Sequence, residues 1–252
     1  MTVDLTGQNI LVTGASRGIG AAIARSVGGA GARVAVHYRA DRSGAEVVRD
    51  AVGGDSTVFQ ADLGNMTEAE ELFRAVVSSF GRVDGVVNNA GIALRTSPEA
   101  STEEWAATWD HTLDVNLKSL ALLSHLAVKH FREIEGGRLV NIASRAAFRG
   151  DTKEYIAYAA SKGGVVALTR SIARAYGKDG IRAFIVAPGF TRTDMARAFT
   201  DEYGERHALD DIALEALTEP GDIAPIVTLL CSGLADHATG CTIDVNAGSY
   251  VH

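Results

Sequence analysis

Short β-branched, apolar runs alternate along this chain with longer stretches of helical period. Asn9–Val12 reads as a buried strand and Ile19–Val27 as an Ala-rich helix. Arg33–Val36 is the next strand, and Ser43–Val52 the helix after it. Thr57–Phe59 and Val83–Val87 continue the strands, with a helix over Glu68–Val77 between them. Leu139–Ile142, a long helix around Val165–Tyr176, the strand Ala183–Val186 and a last strand Thr242–Val245 complete the pattern. Continuously apolar strands separated by helices belong to a parallel sheet covered on both faces. Right-handed crossovers leave a doubly wound α/β sandwich of about seven strands as the expected fold.

Length fits this architecture, since 252 residues can bury one full core as a single domain over residues 1–252. Glycine is abundant at 27 against only 4 prolines, and its positions decide what that means. Gly31, Gly53, Gly54, Gly81, Gly136, Gly137 and Gly180 fall where a strand or helix ends, so they read as turns rather than linkers. The net charge of −7 lacks the basic footprint that nucleic-acid binding needs. No uncharged apolar stretch approaches the roughly 20 residues of a membrane span. Met1–Gly7 shows no signal-peptide pattern. Cys231 and Cys241 are too few for a disulfide framework and read as small buried hydrophobes, which makes a reducing cytoplasm the expected compartment. The least regular segment, Phe190–Glu219, carries eight acidic residues and three arginines. It lies where a doubly wound fold places substrate loops, and reads as a lid or as a solvated helical excursion.

Candidate chemistry begins right after the first strand, with Thr13-Gly14-Ala15-Ser16-Arg17-Gly18-Ile19-Gly20. Gly14 permits a tight turn, Gly18 lets backbone approach a pyrophosphate, and Gly20 lets the helix pack against the sheet. An anion there would meet free N–H groups at the positive end of the helix dipole. No Lys-Ser/Thr pair follows the last glycine, so this is not a kinase-type phosphate loop.

Together with Asn88-Asn89-Ala90-Gly91, Tyr158-x-x-x-Lys162, Pro188-Gly189 and the closing Val245-Asn246-Ala247-Gly248, this loop resembles the short-chain dehydrogenase/reductase family, compact branch. The resemblance spans nearly the whole chain, with the motifs in the family's order. It implies a Rossmann-type fold and a nicotinamide coenzyme cradled by Gly14, Ser16, Arg17, Gly18, Ile19 and Gly20. It further implies that Asp62 and Leu63 bind adenine, that Asn89, Ala90 and Gly91 line the ribose, and that Pro188, Gly189, Thr191 and Thr193 hold the nicotinamide end. The second strand ends His37-Tyr38-Arg39, with Tyr38 where the family's NAD-binding members carry Asp. Arg39 and Arg17 suit a 2′-phosphate through forked, charge-assisted hydrogen bonds, which favours NADP(H) while leaving NAD(H) possible.

Tyr158 and Lys162, four residues apart in a helical stretch, share one face. Hydride transfer to or from a carbonyl carbon needs a proton at the oxygen, and an ordinary tyrosine with pKa ~10 is a poor partner at neutral pH. A neighbouring ammonium and a positive nicotinamide ring would both favour the phenolate, so a lowered Tyr158 pKa is expected. Ser144 is placed to hydrogen-bond the reacting oxygen, or to act only as a turn hydroxyl. Asn116 matches the family's helix asparagine, which supports a water-linked proton relay to the lysine; the alternative is a buried polar cap. The seven histidines are scattered without metal-ligand spacing.

The chain most resembles the branch that holds 3-oxoacyl-carrier-protein reductases alongside sugar, polyol and small-ketone dehydrogenases. Glu135 and Asp179 occupy positions where carrier-protein reductases present basic residues, although Lys178 and Arg132 are adjacent. With the net charge of −7, this opposes an acidic carrier. The expected activity is therefore NAD(P)-dependent oxidoreduction of a small carbonyl or secondary alcohol, with the carrier-bound substrate as the alternative. A non-catalytic dinucleotide sensor and a nucleotide-sugar epimerase are the rival classes. Phe148, Phe190 and Met195 could line the pocket. Arg145 and Arg149 either orient an anionic substrate or pair with the acidic segment. By resemblance a homotetramer (or homodimer) is expected, through helices corresponding to Leu113–Arg132 and Glu154–Tyr176.

Overall fold

The computed structural model describes residues 2–195 and 204–251. Seven strands form one parallel sheet: β1 (Asn9–Val12), β2 (Arg33–Tyr38), β3 (Thr57–Gln60), β4 (Gly85–Asn88), β5 (Gly137–Ile142), β6 (Ile181–Pro188) and β7 (Thr242–Val245). Their spatial order is β3-β2-β1-β4-β5-β6-β7, so the chain winds outward from β1 in one direction and then returns to β1's other side with β4. A crevice therefore opens at the carboxyl ends of β1 and β4.

Period-two alternation sorts the strand side chains between two cores. Ile10, Val12, Val34 and Val36 pack with Ile23 and Val27 of α1 (Gly18–Gly29) and with the helix Pro220–Cys231. Leu11, Ala35, Leu139 and Ala183 face the opposite way, onto α3 (Met66–Phe80), α5 (Ser119–Glu133) and α7 (Ile156–Tyr176). Residues such as Leu11, Leu123 and Phe131 are wholly buried, each contributing on the order of 1.5–3 kcal/mol. The remaining helices are α2 (Arg42–Val52), α4 (Thr102–Leu113), α6 (Ala146–Arg149) and α8 (Glu205–Leu209). Pro220–Cys231 is α9. Among the described residues no helix is long and apolar enough to cross a membrane.

Two elements differ from the sequence reading. Helix α9 was hidden by Pro220, Gly221 and Pro225, which read as breakers. In the fold Pro220 occupies the first turn, where its missing N–H costs nothing, and a reciprocal cap between Glu219 and Asp222 starts the helix. The fourth strand begins at Gly85 rather than Val83: Val83 is buried, but its N–H donates to His130 Nε2 at 3.0 Å instead of joining the ladder.

The segment expected as a lid is closed at its base. Thr191 and Thr218 form an isolated parallel bridge, and Arg192 N–H donates to the Thr218 carbonyl at 2.9 Å. Residues 196–203, which are part of that expectation, lie outside the described residues.

A polar ladder crosses the second core beneath the crevice. Asn88 Nδ2 donates to Asn141 Oδ1 at 2.8 Å, and Asn141 Nδ2 donates to Thr169 Oγ1 at 2.8 Å. All three residues are buried, so each bond replaces lost hydration. Replacing Asn141 by Leu leaves Asn88 Nδ2 with only the longer Ser124 Oγ contact at 3.3 Å, and is expected to destabilise the fold by about 1–3 kcal/mol, read from the midpoint of urea unfolding.

Candidate active site

The turn from β1 into α1 is fixed from three directions. Thr13 Oγ1 accepts the N–H groups of Asn89 (2.9 Å) and Ala90 (3.0 Å), while Asn89 Nδ2 donates to the carbonyls of Thr13 (2.9 Å) and Gly14 (3.1 Å). From the β2 side, Gly14 N–H donates to His37 Nδ1 at 2.9 Å. Gly14 and Gly18 take φ of 62° and 56°, and a Cβ on Gly20 would overlap the Gly14 carbonyl oxygen. No side chain caps α1, so its first N–H groups remain for an anion.

The turn opens onto a cleft of about 720 Å³. Gly14, Ser16, Arg17, Gly18, Ile19, Gly20, Tyr38, Arg39, Asp62, Leu63, Asn89, Ala90 and Gly91 line it. So do Ser144, Tyr158, Lys162, Pro188, Gly189, Thr191 and Thr193, with Thr193 set against Gly18. Two named candidates do not line it: Phe148, expected in the pocket, instead stacks on Tyr250 and packs against the Val165–Val166 cluster, and Asn116 lies behind the wall. It sits fully buried in a π-helical turn, Asp114–Lys118, between α4 and α5. Its side chain is wholly engaged: Oδ1 accepts Ile92 N–H at 2.8 Å, and Nδ2 donates to the Ile92 carbonyl (2.8 Å) and to Ser161 Oγ (3.1 Å). Asn116 thereby ties the segment after β4 to α7. A Cβ on Gly91 would stand 3.3 Å from Asn116 Oδ1 and 3.4 Å from Lys162 Nζ, so Gly91 keeps that junction open.

At the far end, the Tyr158 phenol faces Ser144, whose hydroxyl favours the phenolate. Ser144 Oγ itself accepts Ala146 N–H at 3.1 Å, which fixes it at the end of β5. The buried Lys162 ammonium donates to the Ile142 carbonyl at 2.9 Å and lies 5.8 Å from the Tyr158 ring centre. Burial pushes Lys162 down to about 8. Burial also raises the Tyr158 phenol, with Asp151's charge adding to the rise and the Ser144 hydroxyl opposing it. The expected lowering of Tyr158 is thus absent here: desolvation outweighs the stabilisation available from Ser144, and the lysine bonds to backbone.

Charged residues rim the same cleft. Arg17 lies 3.5 Å from Asp194, and the Nη1 atoms of Arg145 and Arg149 each meet Asp211 Oδ2 at 2.7 Å. The pairing with the acidic segment is therefore the arrangement seen. Asp41 Oδ1 accepts Gly44 N–H at 2.9 Å and caps α2, and Arg42 hydrogen-bonds Glu46. Sequence reasoning missed Asp151 and His37 as parts of this site. Among the described residues no group of three or more His, Cys, Asp or Glu could hold a metal ion.

Residues 14–250 match a protein family described as enoyl-(acyl carrier protein) reductase. The chain is 36% identical over 247 residues to a 3-oxoacyl-[acyl-carrier-protein] reductase from Staphylococcus epidermidis, covering 97% of this chain and 99% of that one. Among solved structures, a dehydrogenase/reductase from Sinorhizobium meliloti superposes with a TM-score of 0.91 at 33% identity, covering 99% and 98% of the two chains. A short-chain dehydrogenase from Burkholderia cenocepacia, solved in complex with NADP, gives 0.89 at 32% identity over 97% and 98%.

His37 carries a pH signature. Its Nδ1 accepts from Gly14, so the ring proton lies on Nε2, 3.1 Å from the Ala61 carbonyl. Burial holds its pKa down at about 4, against the Ala61 bond and the Asp62 charge, which favour protonation. The unfolded imidazole titrates near 6.5, so the unfolded chain takes the proton first as pH falls. The stability of the neutral form is complete above about 6.5 and lost progressively toward about 4, an effect of up to about 3 kcal/mol. A His37→Gln variant, compared with the parent in urea at pH 7.5 and pH 5, should lose less stability on acidification.

Proposed function

The chain belongs to the short-chain dehydrogenase/reductase family, and from that premise we propose that Ser144, Tyr158 and Lys162 carry its oxidoreductase chemistry with Asn116 as a positioning residue. The enzyme moves a hydride between a nicotinamide coenzyme and the carbonyl or secondary alcohol of its substrate. The uncapped α1 terminus, the Gly14 turn and the close approach at Gly189, where a Cβ would lie 2.6 Å from Asn246 Cα, fit such a coenzyme. In this reading Gly14, Ser16, Arg17, Gly18, Ile19 and Gly20 hold the pyrophosphate, while Asp62, Leu63, Asn89, Ala90 and Gly91 hold the adenosine. Pro188, Gly189, Thr191 and Thr193 hold the carboxamide end. When bound, the nicotinamide supplies or accepts the hydride.

Tyr158 gives or takes the proton at the substrate oxygen, and Ser144 donates a hydrogen bond to that oxygen. The observation that carries this assignment is the Tyr158 phenol facing Ser144 beside a buried lysine held by the Ile142 carbonyl, in a cleft that starts from a phosphate-type turn. A phenol raised by burial is a competent acid for carbonyl reduction. A charge-balanced, non-catalytic sensor has no need of this arrangement.

NADP(H) is the favoured coenzyme. Arg39 and Arg17 are exposed at the adenosine end, Tyr38 is buried where an acidic acceptor would serve a 2′-hydroxyl, and Arg42 stands beside it. Asp41 is engaged in capping α2, which tempers its repulsion of a phosphate. We favour a small free carbonyl compound over a carrier-bound one, because Asp179 neutralises Arg132 at 3.0 Å on the face where an acidic carrier would dock. The relatives' 3-oxoacyl substrates are the second reading. A homotetramer is in keeping with the exposed Trp105 and Ile156 and with the exposed small residues Ala160 and Ala167 along α7. A cytoplasmic setting suits the free thiols, of which Cys231 is buried with its pKa pushed up to about 12 while Cys241 is only half-buried.

Tyr158→Phe is expected to lower kcat by roughly a thousandfold while leaving the coenzyme Kd nearly unchanged; stopped-flow turnover with fluorescence titration tests both. NADPH should exceed NADH in kcat/KM by about ten- to a hundredfold, and Arg39→Ala should narrow that gap by about tenfold. Equal coenzyme efficiencies in the parent enzyme would remove the NADP assignment. Rates with a free and a carrier-bound 3-oxoacyl substrate separate the two substrate readings.

A further inference from the structure

The carbonyl end of the cleft carries more positive charge on its fixed wall than a neutral ketone requires. Arg145 follows Ser144 directly, and its N–H is anchored to the Pro188 carbonyl at 2.9 Å. Arg149 lies one helical turn further along α6, on the same face. Both residues line the cleft with Tyr158, and both aim Nη1 at a single oxygen of Asp211. Arg145 is the sheltered member, its side chain 17% exposed against 40% for Asp211. The arginines belong to the scaffold that carries Ser144. Asp211 belongs to the excursion between Thr191 and Thr218, which is also held by the Ala213 N–H to Ala247 carbonyl bond at 2.8 Å. Its side chain is the more exposed partner of Arg145, so the carboxylate is the exchangeable member of the set.

Asp151 adds a second carboxylate nearby, and its charge is felt both at Tyr158 and by the two arginines. With Asp211 in place the four side chains balance. With Asp211 withdrawn, one positive charge is left uncompensated beside the reacting oxygen. Two forked donors converging on one carboxylate oxygen form a receptor for that group.

We propose that the substrate carries a carboxylate which Arg145 and Arg149 bind, and that Asp211 stands in for it until the substrate enters. This rests on the oxidoreductase reading above and adds a substrate class to it: oxo acids or hydroxy acids. Entry exchanges one carboxylate for another, so the sheltered Arg145 guanidinium is never left without a carboxylate partner.

The test uses pairs of 2-, 3- and 4-oxo acids and their methyl esters, which keep the carbon skeleton and differ by one charge. The readout is the acid-to-ester ratio of kcat/KM, which cancels any general change in lid or fold. The parent enzyme should favour at least one acid by tenfold or more. Arg149→Gln should lower that ratio by about tenfold, the scale of one charge-assisted hydrogen bond, with partial recovery in Arg149→Lys. Asp211→Asn should raise it several-fold by removing the competitor. Turnover of the esters with a ratio near one, unmoved by these substitutions, would falsify the carboxylate site and leave the oxidoreductase reading standing. Absence of turnover with every acid and ester, under both coenzymes, removes that reading and this inference with it.

Discussion

At the carboxyl ends of β1 and β4, one hydroxyl and one primary amide hold two chain segments at a fixed distance. Thr13 accepts two consecutive N–H groups from the strand opposite, and Asn89 returns two bonds to the carbonyls of Thr13 and Gly14. The paired stretch of β1 and β4 ends here, at Val12 and Val87, so beyond it side chains satisfy much of the backbone instead. His37 does the same work from β2. The direction of α1, the opening of its first N–H groups and the start of the segment that Asn116 then ties to α7 all depend on this junction. A coenzyme-binding turn could not be held by hydrophobic packing alone, because packing is non-directional while a pyrophosphate needs N–H groups aimed at it.

The opposite end of the cleft is governed by desolvation. Lys162 and Tyr158 occupy a setting that disfavours both of their charged forms, and the ammonium is held by a backbone carbonyl. Reading only the helix spacing of Tyr158 and Lys162 gives the correct face, yet it leaves out the cost of placing that face against the sheet.

The seven strands were legible because each is a continuous apolar run, and a parallel sheet buried on both faces admits little else. The position of the glycine turn followed from the end of the first strand, while most other residues lining the cleft were read from the family resemblance. Legibility failed where a polar or helix-breaking residue has its purpose defined by a distant partner. His37 looks like any strand residue until Gly14 and Ala61 are brought to it. Pro225 looks like a helix terminator until α9 buries Ile223, Val227 and Leu230 against α1. Asp211 reads as one acid among eight until two arginines more than sixty positions away close on it. Long-range electrostatic pairing leaves no periodic mark in a sequence, whereas burial does.

The bridge between Thr191 and Thr218 has an evolutionary consequence. Because the excursion begins and ends at one paired point of the scaffold, insertions or rewritten sequence within it change the closure entropy only slightly, by about 0.6 kcal/mol for a doubling of length. The sheet is insulated from such changes, whereas, among the described ion pairs, the glycine turn and the Ser144 segment meet the excursion only through Arg17–Asp194, Arg145–Asp211 and Arg149–Asp211. A lineage built on this fold can thus exchange the cover of its pocket as a cassette, acquiring new substrates without first having to re-solve its folding problem.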